Sequence, residues 1–72
     1  MIDLKLIGSA VRAYRTVHKA PLLDFGYSAE IAAQTISKIE KGESEALSLR
    51  QLERLAEVMG ISVIELIQKG LK

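Results

Sequence analysis

The chain has no cysteine, no tryptophan, one proline, one histidine and only three aromatic residues among its 72. Without cysteine no disulfide can brace it. A single histidine also excludes the ordinary structural zinc sites, which draw about four ligands from these residue types or carboxylates. No apolar run approaches the ~20 residues of a membrane span. The N-terminal stretch MIDLKLIGSAV lacks the basic start and small-residue cleavage site of a secretory signal, so a cytoplasmic protein without a membrane partner is expected. Asp24 with Glu30, or Glu43 with Glu45, could be paired as catalytic carboxylates, but no nucleophile, Gly-rich phosphate loop or metal-ligand set accompanies them. The expectation is therefore no enzyme, no cofactor and no metal.

What is present is the balance of a folded domain, 49% hydrophobic and 26% charged. The length suits one domain over residues 1–72 that buries only roughly 60% of its unfolded surface. Disulfides and metals being unavailable, self-association is the expected support. The net charge of +1 conceals an uneven distribution. Residues 1–20 carry four cations (Lys5, Arg12, Arg15, Lys19) against Asp3, net +3, while residues 21–45 carry two cations against five anions, net −3. Electrostatic effects must therefore be judged locally.

The periodicity predicts a run of short helices. Asp3 can cap the first, with Ile2 and Ile7 as a hydrophobic staple and Ile7, Val11 and Tyr14 on one face. Pro21 ends that helix near His18 or Lys19. The alternation Ile2, Leu4, Leu6 also permits a short strand, an arm that would serve as a dimer contact. Ser48 to Gln51 and Ser62 to Glu65 both fit the capping box and mark the starts of two later helices. Leu49, Leu52, Leu55, Ala56 and Met59 form the buried stripe of the first of these, which Gly60 ends, and Gly70 can end the second in a left-handed cap. Tyr14, Phe25 and Tyr27 are read as core or staple residues.

The middle of the chain admits two readings. Ile31, Thr35, Ile36 and Ile39 share a face that closes at Gly42. In one reading a turn around Ala29, Glu30 and Ile31 separates a short helix at 22–28 from a second at 33–41. In the other, Ser28 caps one continuous helix from Ala29 to Lys41.

At Ile7-Gly8, Val11-Arg12, Arg15, Ile31, Thr35-Ile36-Ser37-Lys38-Ile39-Glu40-Lys41-Gly42, Gly60-Ile61-Ser62 and Glu65-Leu66 the chain resembles the phage repressor and Cro type of helix-turn-helix domain. The likeness spans about residues 7–68, with Thr35 to Gly42 as its specific part. It implies an all-α, compact five-helix bundle of the lambda-repressor kind, with the helix-turn-helix unit over about 21–42 and a dimerisation helix over about 62–71.

The resemblance further implies a sequence-specific regulator of transcription that binds double-stranded DNA as a homodimer on a palindromic operator. Ala33, Gln34 and Lys38 would occupy base-reading positions: Gln can pair with adenine, Lys can donate to guanine, and an Ala methyl can touch that of thymine. Thr35, Lys41 and Ser44 would contact the DNA backbone, with Arg12, His18 and Lys19 near phosphates. Arg15 and Glu40 match an internal ion pair. In the last helix Val63 and Leu66 fill core positions, leaving Ile64, Ile67 and Leu71 as a homodimer seam.

The sequence departs from the family pattern at four places. Pro21 and Leu22 stand where a cap and a phosphate-binding Gln are usual, Gly26 replaces Ala, Glu30 replaces the turn glycine, and acidic Glu43 and Glu45 follow the third helix. Two alternatives therefore stay open: an antitoxin that pairs the same DNA helix with a toxin, and a helical protein-interaction module that has lost DNA binding. For Gln34, Thr35 and Lys38 the plain alternative is a solvated helix face.

Overall fold

A computed structural model describes residues 2–44 and 46–71; Glu45, the second acid of the loop pair, lies outside the described residues. Among the described residues five helices follow one another: α1 (Leu4–His18), α2 (Leu22–Ala29), α3 (Ala33–Lys41), α4 (Leu49–Met59) and α5 (Val63–Lys69). None is long and apolar enough to cross a membrane.

Each boundary has a local cause. Asp3 accepts a hydrogen bond from the Lys5 amide at 2.9 Å and opens α1. Lys19 closes it at φ 52°, where its N–H reaches the Arg15 and Thr16 carbonyls. Ser48 and Gln51 form the full reciprocal capping box at α4. At α5 only half of the expected box is made, because Ser62 accepts from the Glu65 amide but receives no return bond to its own N–H. Gly42 and Gly60 are left-handed C-caps at φ 73° and 72°.

Gly70 is not such a cap. Its φ is −91°, and a Cβ there would lie 2.6 Å from the Ile7 side chain, so its smallness serves packing instead. The strand reading of the N-terminus also fails: Leu4 and Leu6 are helical, and Ile2 forms one isolated antiparallel bridge with Leu71. The Asp3 amide donates to the Gly70 carbonyl in the same contact.

The core lies where α1, α3, α4 and α5 meet, with Ile7, Val11, Ile36, Ile39, Leu55 and Leu66 the largest fully buried side chains. Two residues expected inside are outside. Leu49 begins α4 on its solvent side, and Tyr27 is 87% exposed because α2 turns Phe25 and Ala29 inward instead. Phe25 is buried, and Tyr14 is half-buried with its hydroxyl donating to the Val58 carbonyl at 3.0 Å.

Of the two readings of the middle, the helix-turn-helix is correct. α2 ends at Glu30, whose φ of 57° is left-handed, and its N–H closes onto the Gly26 and Tyr27 carbonyls. The next amide, of Ile31, donates to the Gly26 carbonyl at 2.9 Å. Gly26 is glycine for a spatial reason, since a Cβ there would stand 2.7 Å from the Ile31 carbonyl oxygen. Arg54 of α4 holds the turn from outside, donating to the Glu30 carbonyl and pairing with its carboxylate, both at 3.3 Å.

A left-handed non-glycine residue costs about 1–2 kcal/mol, whereas an exposed ion pair contributes about 0–1 kcal/mol. Glu30→Gly should therefore raise stability to chemical denaturation slightly, by at most about 1 kcal/mol once the lost ion pair and glycine's extra chain entropy are deducted. A lower denaturation midpoint would mean that the Arg54 contact outweighs the backbone strain.

Candidate functional site

α3 divides its residues sharply. Ile36 and Ile39 face the core, while Gln34, Ser37, Lys38 and Lys41 recur at i, i+3, i+4 and i+7 along the opposite side. Those four side chains, with Ala33 and with Leu22 from the start of α2, line one shallow hollow. It presents an amide, a hydroxyl and two ammonium groups in a row. Ser37 is the member that sequence reading passes over, although its place one turn after Gln34 marks it for the same edge.

The edge is held in place from behind. Arg15 of α1 grips Glu40 with two parallel bonds, Nε to Oε2 at 2.6 Å and Nη2 to Oε1 at 2.8 Å, and its Nη1 donates to the Ala20 carbonyl at 3.1 Å. The Glu40 side chain is 6% exposed and that of Arg15 21%. Hydrogen bonding to Glu40 raises the Arg15 pKa above its ordinary value against the opposing effect of burial. The guanidinium thus stays charged, and its contribution stays whole, until strongly alkaline pH. Neutralised by this pair, Glu40 leaves Lys38 and Lys41 as the charges of the exposed edge.

Neither α2 nor α3 has a side-chain cap: Pro21 and Ala32 occupy those positions. First-turn amides at both helix starts are thus open to water or to an anion.

The other expected backbone-contacting residues lie at differing places. Thr35 sits half-buried on the flank of α3, outside the hollow. Ser44 follows α3 and donates its hydroxyl to the Ala46 carbonyl at 3.0 Å. Arg12 and Lys19 are exposed on α1 and just after it. His18 is not brought to the α3 edge. Its ring lies 4.1 Å from that of Tyr14 and lines a different hollow, with Val17, Met59, Ile61 and Lys69. On α5, Ile64 is 64% exposed and Leu71 beyond the helix is also exposed, whereas Ile67 packs partly against the core.

Among the described residues no group of histidines and carboxylates could hold a metal ion.

A family model described as helix-turn-helix matches residues 28–66. Among solved structures, the chain superposes on the clp gene regulator ClgR from Corynebacterium glutamicum with a TM-score of 0.79 at 20% identity, over 97% of this chain and 73% of that one. It superposes on SinR in a SinR–SinI complex with a TM-score of 0.77 at 28% identity, over 85% of this chain and 59% of that one. SinR, described as the master regulator for biofilm formation, in complex with DNA gives a TM-score of 0.75 at 28% identity, over 83% and 95%. No curated protein matches the sequence.

Proposed function

Because this chain belongs to the helix-turn-helix family, we propose that it is a regulator of transcription that binds double-stranded DNA by laying the exposed edge of α3 in the major groove. The observation that carries this reading is the single row of Gln34, Ser37, Lys38 and Lys41 beside an uncapped helix start. SinR, its structural neighbour, has been solved with DNA bound.

In this reading Gln34 and Lys38 face base edges with Ala33 beside them, while Thr35, Lys41 and Ser44, with Arg12 and Lys19, neutralise or bind phosphates. Exposed Ile64 and Leu71, with Ile67 beneath, form the seam of a homodimer. A two-fold pair would set two α3 helices one DNA turn apart, about 34–36 Å, and so read a palindrome.

The test compares variants on selected and random duplexes. Gln34→Ala should cost about 1–3 kcal/mol on the selected sequence and little on random DNA. Lys41→Ala should weaken both alike and reduce the slope of log affinity against log salt by about one. Equal losses on both duplexes for Gln34→Ala would overturn the base-reading role.

A second reading adds a protein partner, as for an antitoxin bound to its toxin. The apolar hollow of Val17, Met59 and Ile61, which includes no residue of α2 or α3, favours it, and SinR has been solved with SinI. DNA affinity that changes when the product of a neighbouring gene is added would distinguish it from the simple regulator.

A further inference from the structure

The hollow beneath the α3 edge is polar on one side only. Its α2 wall is the half-buried side chain of Leu22, and Ala33 stands beside it at the start of α3. Ala33 also borders a second hollow, lined by Leu23, Tyr27 and Ala32, with Glu30 of the turn as its one charged neighbour, an anion that would repel a phosphate. Leu23 and Tyr27 are among the most exposed large hydrophobic side chains of the described residues. An apolar strip therefore runs along the outer side of α2, crosses to α3 at Ala33 and stops against Gln34.

The charge pattern says what such a strip can meet. α2 carries no cation, its single charged side chain is Asp24, and Pro21 before it has no N–H. The side chain of Leu22 offers nothing to a phosphate oxygen. Of the features that base pairs display in the major groove, the C5 methyl of thymine is the apolar one.

We propose that Leu22, together with Ala33, is a specificity-determining contact for a C5-methylated pyrimidine, receiving a thymine methyl next to the base pair addressed by Gln34. This rests on the DNA-binding reading above and extends it to a residue and a chemical group that the polar edge does not cover. The preferred half-site then contains a thymine defined by its methyl group, and 5-methylcytosine in its place retains part of the affinity where cytosine does not.

The experiment uses the duplex that the wild-type chain selects from a randomised pool. Each thymine is replaced in turn by deoxyuridine, which removes the methyl and leaves pairing intact. Burial of one methyl corresponds to an affinity change of roughly four-fold, so one thymine per half-site should show a loss of about that size. In Leu22→Ala the same replacement should change affinity by less than about two-fold, with thermal unfolding measured alongside. Leu22→Gln provides a second variant that removes the apolar wall at a half-buried position without shortening the side chain.

No methyl-dependent thymine, or an undiminished deoxyuridine penalty in both Leu22 variants, would overturn the inference while leaving DNA binding standing. A wild-type chain that retains no duplex at low salt would overturn the DNA-binding reading and this inference together.

Discussion

Gly8→Ala should destabilise the protein by about 3 kcal/mol or more, although a glycine inside a helix ordinarily costs about 0.5–1 kcal/mol and its replacement by alanine should help. The reason is distance. A Cβ on Gly8 would collide with the Ile39 carbonyl oxygen and would lie 2.9 Å from the Ile39 carbonyl carbon and 3.1 Å from the Glu40 Cα. All three are backbone atoms of α3 and cannot rotate away. To admit the methyl, α1 must move off α3, and that movement loosens the core cluster that Ile7 and Val11 share with the fully buried Ile36 and Ile39. Overpacking costs about 1–3 kcal/mol even where side chains can yield. A domain of this size rarely holds more than about 3–5 kcal/mol in reserve. Urea denaturation followed by circular dichroism should find the variant largely unfolded or close to it. A midpoint equal to that of the wild type would show that α1 and α3 do not cross at Gly8.

Arg15→Ala should cost about 3 kcal/mol, the lower end of the range for breaking a buried pair because Arg15 retains some solvent contact. The loss arises mainly from what remains. Glu40, nearly enclosed, would keep a carboxylate with neither of its two hydrogen bonds, and the Ala20 carbonyl would lose the Nη1 donor. Arg15→Lys should recover less than half of the loss, since an ammonium cannot reproduce the two parallel bonds of the guanidinium. Glu40→Gln, which keeps the shape and one acceptor oxygen, should fall between wild type and Arg15→Ala. If Arg15→Lys restored full stability, the pair would be a simple charge contact and not a positional clamp. The clamp also bears on the proposed function, because it fixes α3 one residue from Lys41 and two from Lys38. Variants weakened here should lose DNA affinity at temperatures where they are still folded.

Much of this architecture is legible in the chain itself because short-range chemistry sets it. Pro21 stops α1, Ser48 and Gln51 open α4 reciprocally, and Gly42 and Gly60 take the left-handed caps that glycine suits. The turn between α2 and α3 was not decidable from composition. Ser28 is a plausible cap, and a glutamate does not by itself favour a left-handed backbone, although the resemblance puts the family's turn glycine at Glu30. That conformation becomes tolerable only through tertiary contacts, with Gly26 admitting the Ile31 carbonyl and Arg54 reaching over from α4.

The misplaced core residues have the same origin. Tyr27 and Leu49 are apolar enough to be buried, yet each lies on a side of its helix that no other element covers. For the candidate site, Gln34, Lys38 and Lys41 could be placed on one edge by helical spacing, whereas the approach of Leu22 depends on how α2 meets α3. His18 shows the opposite limit: close in sequence to Lys19, it is turned by its contact with Tyr14 toward a separate hollow.

The most direct test of the regulator reading is binding of the purified chain to a randomised DNA duplex pool at low and moderate salt, with the retained sequences read and the complex sized. Enrichment of a palindrome whose half-site centres lie about 34–36 Å apart, held by two copies of the chain, is the expected result. Retention without enrichment would reduce α3 to a phosphate contact, and no retention at low salt would contradict DNA recognition by this edge altogether.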